Sequence, residues 1–246
     1  MKNVSDLQQA LETARETYSA KRPYSLQSFE EATAFMPGGN TRTVLYHDPF
    51  PFRAAKGEGA WLYDIDNNRM LNLLGEYTAG LFGHDHPAIQ AAIERAMATG
   101  LNLGAHNMLE SHFAELVCDR FASIEKVRFT NSGTEANLMA ITAARAFTGR
   151  EAVMVFEGGY HGGPFLFKPG ITTNAPFPWV MRPYNDTEAT VAALREQGGE
   201  LAAVVVEPML GSGGAIPGHP EFLKALRAEC DRTGALLIFD EVMTSR

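Results

Sequence analysis

The segment Ala202-Ala203-Val204-Val205-Val206 is apolar at every position. A strand with one wet face alternates polar and apolar residues. A strand without that alternation is covered on both faces. The predicted strand here spans Leu201–Glu207, with others at Lys126–Thr130, Ala152–Phe156, Trp179–Arg182 and Ala235–Phe239. Most of the gaps between them hold amphipathic helical patterns. This order predicts an α/β fold with a mostly parallel central sheet covered by helices.

The helices carry their own signals. Ser132 precedes a helix expected over Thr134 to about Phe147. Asn185 with Glu188 predicts a cap for a helix that stops at Gly198-Gly199. Pro220 opens another, with Phe222, Ala225 and Leu226 on one side. His86-Pro87 opens one carrying Ile89, Ile93 and Met97 and closed by Gly100, and a further helix covers Leu109 to Phe121. Upstream, Ser5 with Gln8 predicts an N-terminus for a helix bearing Leu7, Leu11, Ala14 and Tyr18. That thin stripe suits packing on a larger body or a partner. A short helix after Ser25 turns Phe29 and Ala32 inward until Met36-Pro37-Gly38-Gly39-Asn40 breaks it. Strands Gly59–Asp64 and Arg69–Leu73 flank a turn at Asp66-Asn67-Asn68. Residues 1–75 read as part of a small N-terminal α+β lobe and 76–246 as an incomplete large α/β domain.

Composition narrows the function classes. Of 246 residues 45% are hydrophobic, enough for a core, so disorder is excluded. With 21 Lys+Arg against 29 Asp+Glu the net charge is −8, which argues against nucleic-acid binding by general charge. Cys118 and Cys230 are too few for a disulfide framework and are expected to be buried thiols, as suits the cytoplasm. Met1 to Ala20 is too polar for a signal peptide, and no apolar run approaches membrane-spanning length. The sequence stops at Asp240-Glu241-Val242-Met243-Thr244-Ser245-Arg246, directly after an apolar strand, which predicts a partial chain.

Three strand ends carry candidate chemistry. Asn131-Ser132-Gly133-Thr134-Glu135-Ala136-Asn137 joins a predicted strand to a helix. Free N–H groups at the helix start, the hydroxyls of Ser132 and Thr134 and the open Gly133 suit a phosphate. The same residue types also make an ordinary cap. Neither the Gly-Lys-Ser/Thr loop nor the dinucleotide fingerprint is present, which disfavours a nucleotide-binding protein. Glu157-Gly158-Gly159-Tyr160-His161-Gly162-Gly163 follows the next strand, where Tyr160 could stack on a flat ring or pack on the core. Asp240 ends an apolar strand as a cap or a functional anion, and Glu207-Pro208 ends another. Beside a protonated pyridine, Asp240 would hold that proton. The histidines His84 and His86 read as loop and cap rather than metal ligands, and His106 and His161 have no assigned role.

Together Asn131 to Asn137, Gly158 to Gly162, Glu207-Pro208 and Asp240-Glu241-Val242 resemble the class III, fold-type I pyridoxal-phosphate aminotransferases over about Phe35 to Arg246. The resemblance implies pyridoxal 5'-phosphate as cofactor. Ser132, Gly133 and Thr134 would take its phosphate, with Tyr160 and Val242 on opposite faces of the ring. Asp240 would be the catalytic partner of the pyridine nitrogen, and Glu207 a supporting polar group. The family's Schiff-base lysine lies outside this chain: Lys2, Lys21, Lys56, Lys126, Lys168 and Lys224 do not match it.

Within the family, Met36 to Arg42, Glu76-Tyr77-Thr78-Ala79-Gly80 and Gly104-Ala105-His106-Asn107 resemble the β-amino-acid aminotransferases, which act on substrates such as β-phenylalanine. Arg42 and Tyr77 would then bind substrate, a guanidinium fork suiting a carboxylate. Pro-Gly-Gly, Asn-Ser-Gly-Thr-Glu and Asp-Glu-Val-Met are shared with glutamate-1-semialdehyde aminomutases, which usually carry Ser-Trp in place of Glu76-Tyr77. Ser212 stands where ornithine- and 4-aminobutyrate-type members carry a gating glutamate, so those substrates are disfavoured. The resemblance implies a homodimeric transaminase exchanging an amino acid with a 2-oxo acid, and the cysteine usage places it in the cytoplasm. An inactive cofactor-domain fragment is the alternative for this chain alone, and the sequence after Arg246 separates the two.

Overall fold

The computed structural model describes residues 4–245 and divides into two compact units, Met1–Gly104 and Ala105–Arg246.

In the second unit, strands β4 (Ala152–Phe156), β5 (Trp179–Arg182), β6 (Leu201–Val206) and β9 (Leu236–Phe239) form a parallel sheet in the order β5-β4-β6-β9. Every residue of β6 is buried, which is why that run carries no polar alternation. Met154, Phe156, Val204 and Val206 pack with Ala193 and Leu194 of α6 (Thr187–Gln197) and with Phe222, Leu226 and Cys230 of α7 (Pro220–Thr233). The alternate set, Val153, Val155, Ala203 and Val205, packs with Ile141 and Ala144 of α5 (Gly133–Thr148) and with Phe165 and Phe167. Each fully buried large apolar side chain contributes about 1.5–3 kcal/mol, so this two-sided core dominates the stability of the unit. Arg150 ties its lower edge together, donating to the carbonyls of Leu201 at 3.1 Å and Thr233 at 3.0 Å.

Several local expectations are corrected. Lys126–Thr130 lies outside the sheet: a segment that alternates polar and apolar residues becomes a strand only by pairing, and it joins no ladder among the described residues. The N-cap of α6 is Asp186, whose carboxylate accepts from Ala189 N at 2.9 Å. Asn185 adopts φ 65° and instead bridges Pro217 O and His219 N across the short hairpin β7 (Met209–Leu210) and β8 (Ile216–Pro217) and the start of α7. Only Cys230 is buried; Cys118, on α4 (Met108–Arg120), is half-buried. Helix α4 starts from Asn107, which accepts from Leu109 N and Glu110 N, and it leaves Leu109, Phe113 and Leu116 exposed.

The first unit holds α1 (Val4–Ala20), α2 (Pro23–Thr33), α3 (Pro87–Met97) and a three-stranded antiparallel sheet. Strand β1 (Ala54–Glu58) was not expected: Ala-Ala-Lys-Gly-Glu has no strand pattern and is held as an edge by β2 (Trp61–Asp64). β3 (Arg69–Leu71) completes the sheet. Helix α2 begins at Pro23, ahead of Ser25, because proline suits a first helical position. It has no cap of its own. The turn residue Asp66 supplies one, accepting from Tyr24 N at 2.8 Å, Ser25 N at 2.9 Å and Ser25 Oγ at 2.6 Å. Burial raises the Asp66 pKa, but these donors outweigh it and hold the group below its ordinary value. The expected cap at Ser5 falls inside α1, whose first side chains lie outside the described residues.

Candidate active site

The end of β9, the start of α5 and the loop after β4 meet at the carboxyl edge of the parallel sheet, where ligands bind in folds of this kind. Asp240 continues the ladder, its N–H donating to Val206 O at 2.9 Å, so its side chain is fixed as the chain leaves the sheet. It is 8% exposed. Oδ2 accepts from Asn137 Nδ2 at 2.8 Å and lies 2.8 Å from His161 Nδ1, while Oδ1 accepts from Val242 N at 3.1 Å. Burial alone would push its pKa up. The bond to His161, then the Val242 N–H and the Asn137 amide, reverse that and hold Asp240 below the ordinary aspartate value.

Helix α5 supplies the second wall. Ser132 Oγ accepts from Glu135 N at 3.1 Å, and the Glu135 carboxylate accepts from Asn131 N, one residue before the cap, at 2.8 Å. As a cap, Ser132 uses acceptor capacity and keeps its O–H to donate. The N–H groups of Gly133 and Thr134 precede that of Ala136, the first to donate within the helix (to Ser132 O at 3.0 Å), and lie at the positive end of the helix dipole. A Cβ on Gly133 would come within 3.1 Å of Val242 Cγ2, so the absence of a side chain lets these two segments meet.

The loop after β4 closes the third side. Tyr160 is 43% exposed, so its ring is available rather than spent on the core. Its backbone is fixed: Glu207 accepts from Tyr160 N and from Gly211 N, both at 2.9 Å. Burial raises the Glu207 pKa above the ordinary glutamate range; the two N–H donors and nearby His161 offset this only partly, and the charge of Asp240 adds to it. His161 is 3% exposed.

Ser132, Gly133, Thr134, Tyr160, Glu207, Asp240 and Val242 thus all lie within one unit, on segments that touch. Two buried participants carried no role in the sequence reading, Asn137 and His161. Both sit inside motifs that were noticed. Their common partner is 103 and 79 residues away, respectively, and nothing local announces it.

Arg42 and Tyr77 belong to the other unit. Arg42 is exposed, and its carbonyl accepts from Leu45 N at 2.9 Å. Tyr77 Oη donates to Val44 O at 3.2 Å, so it is tied two residues beyond Arg42. Gly75, Glu76, Tyr77 and Thr78 all have positive φ, at 55°, 50°, 55° and 76°. For L-residues this left-handed run costs about 1–2 kcal/mol each, and such strain gathers at functional segments.

The class-III aminotransferase family model matches residues 45–167 and 167–245, and the chain belongs to that family. It is 51% identical to a β-phenylalanine transaminase of Variovorax paradoxus over 98% of its own length and 56% of the relative's. The solved structure of the β-phenylalanine aminotransferase from that organism superimposes with a TM-score of 0.94 at 50% identity, over 97% of this chain and 56% of that one. A glutamate-1-semialdehyde 2,1-aminomutase of Methanopyrus kandleri is 38% identical, over 92% of this chain and 56% of the relative. A transaminase solved with PLP bound gives a TM-score of 0.81 at 34% identity, over 93% and 55% of the two chains. The chain therefore spans about half the length of the relatives it matches.

Proposed function

We propose that this chain provides the cofactor-phosphate and ring-nitrogen contacts of a pyridoxal-phosphate-dependent transaminase acting on a β-amino acid such as β-phenylalanine, with a 2-oxo acid as acceptor. The observation that carries the reading is Asp240: a buried carboxylate held in its charged form, beside a helix N-terminus kept open by Gly133. The residues present fit the cofactor. The N–H groups of Gly133 and Thr134 and the hydroxyls of Ser132 and Thr134 would hold the phosphate. Tyr160 and Val242 would cover the two ring faces, and Asp240 would keep the ring nitrogen protonated. Glu207 would act by fixing the Tyr160 backbone.

When bound, pyridoxal phosphate supplies the electron sink that stabilises charge at the amino-bearing carbon. The protein's part is to hold the phosphate, exclude water from the ring and keep a proton at the ring nitrogen. Arg42 would orient the substrate carboxylate, with Tyr77 beside it. The lysine that forms the family's Schiff base is not among the six of this chain. We place residues 1–75 in the small lobe and 76–246 in the large cofactor lobe of a cytoplasmic homodimer.

Identity to the β-phenylalanine transaminase, higher than to the aminomutase, favours the amino-acid reading, as does Glu76-Tyr77. Turnover by the full-length protein tests it. Release of the β-keto product from β-phenylalanine with a 2-oxo acid supports it. Isomerisation of glutamate-1-semialdehyde without that release moves the assignment to the aminomutase.

A further inference from the structure

An ionised carboxylate offers about four lone-pair positions, two on each oxygen. Among the described residues, Asp240 Oδ2 meets two donors, Asn137 Nδ2 and His161 Nδ1, each at 2.8 Å. Oδ1 meets one, Val242 N at 3.1 Å. The position still open is therefore on Oδ1. The imidazole faces a charged carboxylate, which can only accept, so Nδ1 carries the proton. Asn137 Nδ2 also donates to His161 O at 3.2 Å and so locks the histidine backbone to the same anchor. All three side chains are buried, leaving water little access to compete for these bonds.

We propose that His161 and Asn137 are positioning residues that saturate Oδ2 of Asp240 and leave Oδ1 as the atom that accepts the cofactor's ring N–H. They also set how tightly that proton is held. Two donors on Oδ2 keep Asp240 ionised and fix its plane, and they draw charge away from Oδ1. Losing the His161 donor returns charge to Oδ1 and frees the carboxylate plane, so Asp240 becomes the stronger base and holds the ring proton more firmly but is placed less precisely. This inference rests on the cofactor reading above.

The test uses the full-length protein loaded with pyridoxal phosphate carrying ¹⁵N at the ring nitrogen. Cofactor affinity is read by titration, and ring protonation by the ¹⁵N chemical shift across pH. His161→Phe and Asn137→Ala are expected to weaken cofactor binding about 2- to 10-fold, the worth of ordering one side chain that the wild type holds in place. Both are also expected to make the ring nitrogen lose its proton at higher pH than in the wild type, because a carboxylate with fewer donors is the stronger base. His161→Asn, which keeps a donor near the Nδ1 position, is expected to recover most of the wild-type titration. A ring titration unchanged in both Phe and Ala variants overturns the proposal. So does failure of His161→Asn to recover it while the protein remains folded. Asp240→Ala is the reference: if it too leaves the ring titration unchanged, the cofactor reading fails and the inference with it.

Discussion

Gly162 and Thr134 are in contact across the site: a Cβ on Gly162 would stand 2.3 Å from Thr134 Oγ1, and Gly162 has φ +123°. The loop that carries Tyr160 and His161 therefore reaches the first turn of α5 only through a residue without a side chain. Gly162→Ala must displace the threonine and also strain the backbone. A loss of about 1–3 kcal/mol of stability is expected, with weaker cofactor binding because Thr134 moves. Urea unfolding and cofactor titration of the same variant check both; wild-type values in each would remove this contact from the account.

Ser132 has two duties that substitutions separate. As the cap of α5 its loss to alanine should cost about 1 kcal/mol, whereas glycine at a cap costs only a few tenths. Neither variant keeps the hydroxyl proposed for the phosphate. Ser132→Ala and Ser132→Gly should therefore differ in stability but lose cofactor affinity alike. A Gly variant that binds the cofactor as tightly as wild type would leave Ser132 a cap and nothing more.

Acid should act through Asp240. Its pKa is depressed in the fold below the ordinary 3.8, so its contribution is present above that value and is lost as pH falls through the folded pKa. The stability gap between wild type and Asp240→Asn should shrink as pH is lowered from about 5 to about 2.5. Chemical denaturation midpoints across that range measure it. A gap that stays constant or widens contradicts the assignment of the shift.

The two thiols should react at different rates. Burial pushes the Cys230 pKa up to about 11, so almost none of it is thiolate at neutral pH, whereas Cys118 is half-buried. Peptide mapping after brief alkylation of the folded protein should find Cys118 labelled first and Cys230 only after denaturation. Equal labelling in the native state would show that the α7 face opens.

The central strand Leu201–Val206 was legible because burial on both faces removes every polar residue. The α5 cap was legible because Ser132 and Glu135 occupy a short, local pattern. What escaped depends on pairing or on distance. β1 carries no strand pattern and is made by its neighbour β2. Lys126–Thr130 has the pattern and joins no ladder among the described residues. Asn185 looked like a cap, yet its left-handed φ hands that role to Asp186 and frees its amide for a bridge 34 residues away. His161 and Asn137 become meaningful only when the sheet brings Asp240 beside them.

Cofactor binding by the full-length protein with and without the Asp240 carboxylate tests the central claim most directly. Pyridoxal phosphate added to wild type should give a saturable visible absorbance band that β-phenylalanine bleaches, and Asp240→Ala should bind about tenfold or more weakly and fail to bleach. A wild-type protein with no saturable band, or an Asp240→Ala variant indistinguishable from it, would contradict the account.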